Sequence, residues 1–211
     1  MKILTFRTGP LEVNTYVVIP GDGRKALVID PGGVSVKLME VLKGLEVHFI
    51  VNTHGHFDHI GGNNTVQQVS GAKIAIHFND APMLTDPDLN LSRFSGETLV
   101  SSPADLMLGG NSLELECGGG KLKILEVPGH TRGHIALYCE TEGILFGGDL
   151  MFRNSIGRTD FPGGSLQAIQ ASIEKVLLLP GDTRIYPGHD EDFRLSDFRK
   201  VYRYFFEGGE F

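Results

Sequence analysis

Apolar residues occur along this chain in short runs, separated by turns rich in glycine, proline, asparagine and aspartate. Such runs, enriched in valine, isoleucine and leucine, predict buried β-strands. The predicted strands are 13–19, 26–29, 47–52, 73–77, 113–116, 122–127, 135–139, 143–146 and 184–186. Short turns such as 20–23 and 118–120 join consecutive strands and predict β-hairpins.

Helical spacing of apolar residues appears in four other segments. In 166–178 one stripe runs along a helix and predicts packing on a sheet; it consists of Leu166, Ile169, Ile173, Val176 and Leu177. The remaining predicted helices are 36–43, 64–69 and a closing helix that carries Phe198, Val201, Tyr202 and Phe205. Residues 79–112 lack a regular period and predict a short helix and a loop long enough to cover a site. Strands with helices interspersed predict an α/β fold, with sheets covered by helices.

Composition limits the class of protein. The chain has 211 residues, of which 41% are hydrophobic and 21% charged, and we expect residues 1–211 to form a single globular domain. A net charge of −7 without a basic cluster disfavours nucleic acid and anionic membranes as partners. Two cysteines, Cys117 and Cys139, without a Cys-x-x-Cys motif, favour packing roles and a reducing, cytoplasmic location. The polar N-terminus is unlike a signal peptide, and no apolar run reaches the ~20 residues that span a bilayer.

The most informative stretch is 53–59, Thr-His-Gly-His-Phe-Asp-His, which follows a predicted buried strand. Imidazole and carboxylate are the usual protein ligands of zinc and iron. In an extended segment His54 and His56 point to the same side, and a following turn aims Asp58 and His59 at a second position. Four ligands on one short loop therefore predict two neighbouring metal ions rather than an ordinary polar loop.

Three later segments repeat the arrangement of a strand followed by a ligand. His130, Asp149 and His189 each follow the carboxyl end of an apolar strand, and each lies beside glycine. Strands hold ligands rigidly, and glycine lets the backbone approach closely. A single Pro-Gly-His turn is weak evidence, but together with the loop 53–59 these residues predict one shared metal site.

The His-x-His-x-Asp-His loop, with the later His130, Asp149 and His189, resembles the metallo-β-lactamase superfamily, and the resemblance spans residues 28–189. It implies a four-layer αβ/βα sandwich. It also implies that the first metal is held by His54, His56 and His130, the second by Asp58, His59 and His189, and that Asp149 bridges them. The implied cofactors are two divalent metal ions, zinc above all, with iron or manganese as alternatives.

Within the superfamily, residues 128–134 and 157–164 resemble the short, single-domain form of the glyoxalase II group, the hydroxyacylglutathione hydrolases. This resemblance implies a small-molecule thioester substrate and attack on its carbonyl by a hydroxide that the metals share. The thiolate leaves without a general acid. Asp58 and Asp149 are the candidate catalytic residues: Asp149 sets the metal spacing, while Asp58 binds a metal and can hydrogen-bond the nucleophile.

Arg158 is the candidate for binding a substrate carboxylate through its planar guanidinium, and a loop-bracing role with Asp160 is the alternative. We expect structural roles for the remaining polar candidates, which are Asn14, Tyr16, His48, His77 and His134. Leu91 and Phe94 are expected to form a minor satellite core, with a lid over the site as the alternative. His134 is placed behind the metal ligands.

Two other functions stay open. Segment 157–161 is also similar to persulfide dioxygenases, which need one iron held by two histidines and a carboxylate; His54, His130 and Asp149 supply that set. A non-catalytic module that uses the fold as a scaffold is disfavoured by the complete ligand set. The lack of a secretory signal disfavours a β-lactamase.

Overall fold

A computed structural model of the protein describes residues 1–21, 23–110, 114–117 and 120–206. Asp22 of the turn 20–23, Leu113 of the strand 113–116, residues 118–119 of the next turn and the side chain of Cys117 lie outside the described residues. Cys139 is a buried free thiol, as predicted.

The elements, in chain order, are β1 (Lys2–Thr8), β2 (Val13–Ile19), β3 (Lys25–Ile29), α1 (Val36–Leu42), β4 (Glu46–Val51), α2 (Phe57–Ile60), α3 (Asn63–Ser70), β5 (Lys73–His77), β6 (Leu106–Leu108), β7 (Glu114–Cys117), β8 (Gly120–Glu126), β9 (Ile135–Cys139), β10 (Ile144–Gly148), β11 (Met151–Phe152), β12 (Ser155–Ile156), α4 (Leu166–Leu177), β13 (Arg184–Pro187), β14 (Phe193–Arg194) and α5 (Leu195–Phe206). Two 3-10 turns, Ala81–Leu84 and Ser92–Ser95, lie between β5 and β6.

Two six-stranded sheets form the centre of the molecule, in the orders β1-β2-β3-β4-β5-β6 and β14-β13-β10-β9-β8-β7. Between the sheets lies an apolar core to which Leu27 and Ile29 contribute from one side and Leu137 and Phe146 from the other. The outer face of the first sheet packs on α1 and α3, and that of the second on α4 and α5. This is the predicted four-layer αβ/βα sandwich, and it explains why every residue of β2 is buried: both faces of the strand are covered.

The helices begin where the sequence offers a cap. The Ser165 hydroxyl accepts a hydrogen bond from the Ala168 backbone amide at the start of α4, which satisfies one of the free amides of the first turn. Of the predicted stripe, Ile169, Ile173 and Val176 are fully buried. Leu166, the first residue of α4, is 56% exposed, contrary to the prediction.

Several short elements escape the hydrophobic pattern. β1 is an edge strand in which Lys2, Thr5 and Arg7 are exposed while the polar Thr8 is buried, so its alternation does not hold to the end of the strand. The four-residue helix α2 begins within the predicted loop 53–59, and the predicted loop within 79–112 contains β6. The small strands β11, β12 and β14 have two residues each, which is too few for a period to show. Among the described residues no helix is both long and apolar enough to cross a bilayer.

The topology brings the predicted ligand loops to one end of the sandwich. β8 and β10 each pair antiparallel with β9, and β10 pairs parallel with β13. The carboxyl ends of β8, β10 and β13 therefore point the same way, and the loops that follow them carry His130, Asp149 and His189. The loop after β4, from the first sheet, meets them there.

Candidate metal centre

All seven predicted ligands converge on one buried spot. Their ligand atoms form three sets in which every atom lies within 4.8 Å of the others; the sets are His54–His56–His130, His54–His59–Asp149 and Asp58–His59–His189. The first and third sets have the same members as the two metal positions that the sequence predicts.

Two histidines of the first set face each other. The His56 Nδ1 atom lies 2.9 Å from the His130 Nε2 atom. The His130 Nδ1–H donates to the backbone carbonyl of Arg158 at 2.8 Å. A carbonyl can only accept, so this bond leaves His130 Nε2 without a proton and free to bind a cation.

The same argument applies to His189 and His54. The His189 Nδ1–H donates to the backbone carbonyl of Leu11 at 3.1 Å, which leaves Nε2 as its ligand atom. His54 Nδ1 lies 3.2 Å from the Thr53 hydroxyl, whose own proton is donated to Asp30 at 2.6 Å. Because that proton is already used, the hydroxyl accepts from His54 Nδ1–H, and His54 Nε2 is free.

Asp30 is a residue of the site that sequence reasoning missed. Besides accepting from Thr53, it places Oδ2 3.0 Å from the Nδ1 atom of His59. One buried carboxylate thus orients His54 through Thr53 and contacts His59 directly. The signal was present in the sequence, because Asp30 follows strand β3 and precedes proline and glycine, as Asp149 follows a strand beside glycine.

Asp149 lies between the two predicted metal positions. Its Oδ1 atom is 3.4 Å from His59 Nε2, and its Oδ2 atom is 3.7 Å from His130 Nε2 and 3.8 Å from His189 Nε2. The two oxygens therefore face members of both outer sets. A Cβ at Gly188 would lie 2.1 Å from Asp149 Oδ1, so only glycine allows the backbone to approach so closely.

The donor set fits divalent cations. His54 Nε2, His59 Nε2 and Asp149 Oδ1 are buried and have no hydrogen-bond partner. Buried polar atoms without partners are unfavourable in proteins, and a cation bound among these atoms removes that penalty. Two metal ions held by imidazole and carboxylate match the preferences of zinc, iron and manganese.

The ionisation of the site also suits metal binding. Burial lowers the pKa of His54, and burial next to His130 lowers the pKa of His56 to about 3. Burial alone would raise the pKa of Asp149, but the adjacent His59 lowers it well below its usual range. Asp58 and Asp149 in turn raise the pKa of His59 against the effect of its burial. The carboxylates stay ionised, and a bound cation would take the place of the proton on His59.

Asp80, which sequence reasoning also missed, joins two of the ligand loops. Its carboxylate accepts from the Gly55 amide at 3.3 Å, from the Thr131 hydroxyl at 2.6 Å and from the Gly133 amide at 2.7 Å. Gly55 lies between His54 and His56, and Thr131 follows His130. Nothing in the local sequence around Asp80 marks it, because its partners are 25 to 53 residues away.

The loop that carries His189 is held by residues expected only to pack. The Asn14 side-chain amide donates to the carbonyls of Pro187 at 3.1 Å and Asp190 at 2.8 Å. The Tyr16 hydroxyl donates to Pro187 at 2.6 Å. These residues therefore fix the position of a predicted ligand from the opposite sheet.

The remaining histidines take the structural positions expected of them. His134 is buried, with its ring centroid 5.2 Å from that of His54. His77 is buried beside Phe78, and His48 pairs with Glu46 at the surface.

Five of the seven predicted ligands form the floor of a cavity of about 460 Å³; they are His56, Asp58, His130, Asp149 and His189. Its walls are mainly apolar; they comprise Leu11, Phe57, Leu91, Phe94, Phe152, Ile156, Phe161 and Pro162, with Ser95 and Arg158. Leu91 and Phe94 were expected to belong to a minor core. Leu91 is buried but lines the cavity, and Phe94 is 83% exposed at its wall.

Arg158 also lines the cavity, with its side chain 61% exposed. Its Nε and Nη2 donate to the two carboxylate oxygens of Asp160 at 2.9 and 2.7 Å, and its guanidinium lies 4.1 Å from the centroid of the Phe161 ring. The structure thus contains the loop-bracing pair, and the binding of a substrate carboxylate by Arg158 stays a prediction.

Comparisons with known proteins agree with this fold. A family model described as the metallo-beta-lactamase superfamily matches residues 8–189. The chain is similar to a probable metallo-hydrolase of Bacillus subtilis, YqgX, at 36% identity over 193 residues, 90% of each chain. It is also similar to a hydroxyacylglutathione hydrolase of Haemophilus influenzae, GloC, at 32% identity over 172 residues, which cover 80% of this chain and 81% of the relative.

Two solved structures resemble the protein over almost its whole length. The BLEG-1 B3 metallo-beta-lactamase has a TM-score of 0.91 at 33% identity and covers 97% of this chain and 100% of its own. The protein TTHA1623, solved in a di-iron-bound form, has a TM-score of 0.80 at 32% identity with the same coverage.

Proposed function

This chain belongs to the metallo-beta-lactamase superfamily, and we propose that it is a binuclear metal-dependent hydrolase of the glyoxalase II type that cleaves a thioester. The position of Asp149 carries the proposal. Its two oxygens lie between the sets His54–His56–His130 and Asp58–His59–His189, at the floor of a cavity large enough for a small-molecule substrate. We propose that residues 1–211 act as one domain.

In this proposal His54, His56 and His130 would hold one metal and Asp58, His59 and His189 the other, while the carboxylate of Asp149 would serve both sets. Two bound divalent ions supply a water of lowered pKa and a Lewis acid for the substrate carbonyl. Zinc is the proposed metal; the di-iron form of TTHA1623 is the reason to test iron beside it.

Two features of the protein, its carboxylates and its apolar cavity walls, support hydrolysis, and so does the chemistry of the leaving group. Asp149 fixes the spacing of the two sets, and Asp58, buried and ionised at the cavity floor, accepts a hydrogen bond from the attacking group. The apolar walls exclude bulk water and strengthen the electrostatic interactions inside. A thiol has a pKa near ~8.5, so the leaving group departs as a thiolate without an acid from the protein.

The thioester is chosen because residues 128–134 and 157–164 resemble the glyoxalase II group and because GloC, a hydroxyacylglutathione hydrolase, is similar over four fifths of both chains. The persulfide dioxygenase alternative needs a mononuclear site made of His54, His130 and Asp149. That trio also lies together, with His130 Nε2 3.7 Å from Asp149 Oδ2, so the observation that supports two metals is the complete further set Asp58–His59–His189.

The test combines metal analysis with turnover. Protein purified without a metal-binding tag is expected to contain about two zinc, or zinc and iron, ions per chain and to hydrolyse lactoylglutathione or a related thioester. One iron per chain, with oxygen consumption on glutathione persulfide, would replace the proposal by the dioxygenase.

β-Lactam hydrolysis is a second candidate, favoured by the similarity to the BLEG-1 B3 metallo-beta-lactamase. The same preparation is assayed with a chromogenic cephalosporin. A higher kcat/KM on the cephalosporin than on every thioester would make β-lactams the substrate class.

A further inference from the structure

The walls of the cavity indicate what kind of substrate the metal site receives. Resting on the proposed function, we infer that the acyl group of the thioester is apolar, and that Phe94 closes over it as a specificity-determining residue.

The polar side chains of the cavity wall already have hydrogen-bond or ion-pair partners. Among the described residues that line the cavity above the ligands, Ser95 and Arg158 have polar side chains. The Ser95 hydroxyl donates to the Ser92 carbonyl at 2.7 Å. The Arg158 charge is compensated by Asp160, so an anion that approaches Arg158 also meets a carboxylate. The wall next to the metal ligands therefore offers a charged or hydroxylated acyl group little in exchange for its lost hydration.

Apolar wall residues surround the floor on several sides. Phe57 comes from the ligand loop, Phe152 and Ile156 from the β11–β12 hairpin, and Phe161 from the segment after Arg158. The acyl chain and the thiol carrier of the substrate both extend from the reacting carbonyl, which lies at the cavity floor. Natural thiol carriers such as glutathione and coenzyme A are polar and charged, so the apolar wall suits the acyl branch, while the carrier extends past Arg158 towards solvent.

Phe94 completes this wall. It belongs to the segment 90–95, which is anchored by hydrogen bonds of Asn90. The buried Asn90 side-chain amide donates to the carbonyls of Met83 and Leu99, both at 3.0 Å, and its Oδ1 accepts from the Ser92 amide at 2.9 Å. The segment is thus tied on both sides, and yet it presents Phe94 to solvent at 83% exposure. A large apolar side chain held in water beside an apolar cavity indicates a binding surface.

The segment is also tied to the metal loop. The Asn90 carbonyl accepts from the Phe57 amide at 2.9 Å, and Phe57 adjoins His56 and Asp58 in the chain. Leu91 adopts a left-handed conformation, with φ at 69°, which is unfavourable for leucine. The 3-10 turn that carries Phe94 follows directly, so this turn of the backbone aims Phe94 at the space above the ligands.

The experiment uses the zinc-loaded protein and N-acetylcysteamine thioesters whose acyl groups are 2-hydroxypropanoyl, butanoyl and hexanoyl. The first two have the same number of non-hydrogen atoms; one carries a hydroxyl on carbon 2, and the other has a fourth carbon at the end of its chain instead. Each kcat/KM is divided by the alkaline hydrolysis rate of the same compound, which removes differences in intrinsic reactivity. We expect about a tenfold preference for butanoyl over 2-hydroxypropanoyl, and about a fourfold rise for each further methylene.

Two variants separate the wall from the rest of the fold. In Phe94→Ala, the slope of the logarithm of corrected kcat/KM against acyl chain length is expected to fall to half the wild-type slope or less. Phe78→Ala is the matched control, because Phe78 is 49% exposed and is not among the residues that line the cavity. The control is expected to keep the wild-type dependence.

Binding of the matching S-alkyl thioethers, which cannot be hydrolysed, is measured by calorimetry as a second readout. If no thioester is cleaved but thioether affinity rises with chain length and falls in Phe94→Ala, the hydrolase proposal fails and the apolar acyl site stands. Equal or better cleavage of the 2-hydroxypropanoyl thioester, with no dependence on chain length, overturns the inference and leaves the hydrolase in place. A thioether affinity that does not change with chain length overturns the inference as well.

Discussion

The Nδ1 atom of His56 lies 2.9 Å from the Nε2 atom of His130, although 74 residues separate the two in the chain. Both atoms point to the position where His54 completes the first set of ligands. Two imidazole nitrogens at this distance share one proton or one cation, and the hydrogen bond of His130 Nδ1–H to the Arg158 carbonyl makes His130 Nε2 the accepting atom in either case.

His56→Ala is therefore expected to lose one metal and nearly all activity. Removing a metal that contributes several kcal/mol to catalysis lowers kcat about 10²–10³-fold or more. Metal content and kcat are measured together, with circular dichroism to show that the fold persists. His48→Ala is the control, since His48 pairs with Glu46 at the surface. Two metals per chain and near-normal turnover in His56→Ala would remove His56 from the site.

Asp80→Asn is expected to weaken metal binding although Asp80 is not among the predicted ligands. The amide cannot accept from all of Gly55, Thr131 and Gly133, so the two ligand loops lose their common anchor. Metal affinity is expected to fall about 10–100-fold, and the free energy of unfolding by about 1–3 kcal/mol.

Competition with a chelator measures the affinity, and urea denaturation measures the stability. Asp88→Asn is the matched control, because Asp88 forms an exposed pair with Arg93, and exposed pairs contribute at most about 1 kcal/mol. If Asp80→Asn loses stability with an unchanged metal affinity, Asp80 supports the fold and not the site.

The metal-free protein is expected to be most stable near pH 6.5. Burial lowers the pKa values of His54, His56 and His134, so below pH 6.5 the unfolded chain takes up more protons and stability falls. Against the effect of burial, Asp58 raises the pKa values of both His59 and His189. The stability that His59 and His189 contribute is complete below pH 6.5 and is lost as the pH rises through their raised pKa values.

Urea denaturation in the presence of a chelator between pH 5 and 8 checks this maximum. The metal-loaded protein serves as the comparison. Its stability is expected to keep rising above pH 6.5, because metal binding requires deprotonated imidazoles. A chelated protein that continues to gain stability up to pH 8 would contradict the assignment of His59 and His189.

Arg158→Ala is expected to raise KM about tenfold while kcat changes less than about threefold. Arg158 lines the cavity and is not one of the predicted metal ligands, so a contact between its guanidinium and the polar thiol carrier is made equally in the ground state and the transition state. Steady-state kinetics on the best thioester give both constants. Arg184→Ala is the control, since Arg184 pairs with Asp192 and does not line the cavity. An unchanged KM in Arg158→Ala leaves Arg158 with the loop-bracing role alone.

Most of the fold could be read from the local pattern. Strand runs such as 13–19 and helical stripes such as 166–178 are encoded by residues close together in sequence, and burial on the sheets selects the same residues that the period marks. The seven predicted ligands were visible for a related reason. Each follows a strand or occupies one short loop, so a local segment carries both the chemistry and its placement.

Other features depend on how distant segments meet. Asp30, Asp80, Asn14 and Tyr16 act through hydrogen bonds or ion-pair contacts to partners 15 to 176 residues away, and no nearby residue reports those partners. The exposure of Phe94 depends likewise on the anchoring of its segment to the ligand loop. Spacing along the chain specifies which side chains a strand end offers. The packing of two sheets against each other specifies which of them touch, and so what surrounds the site.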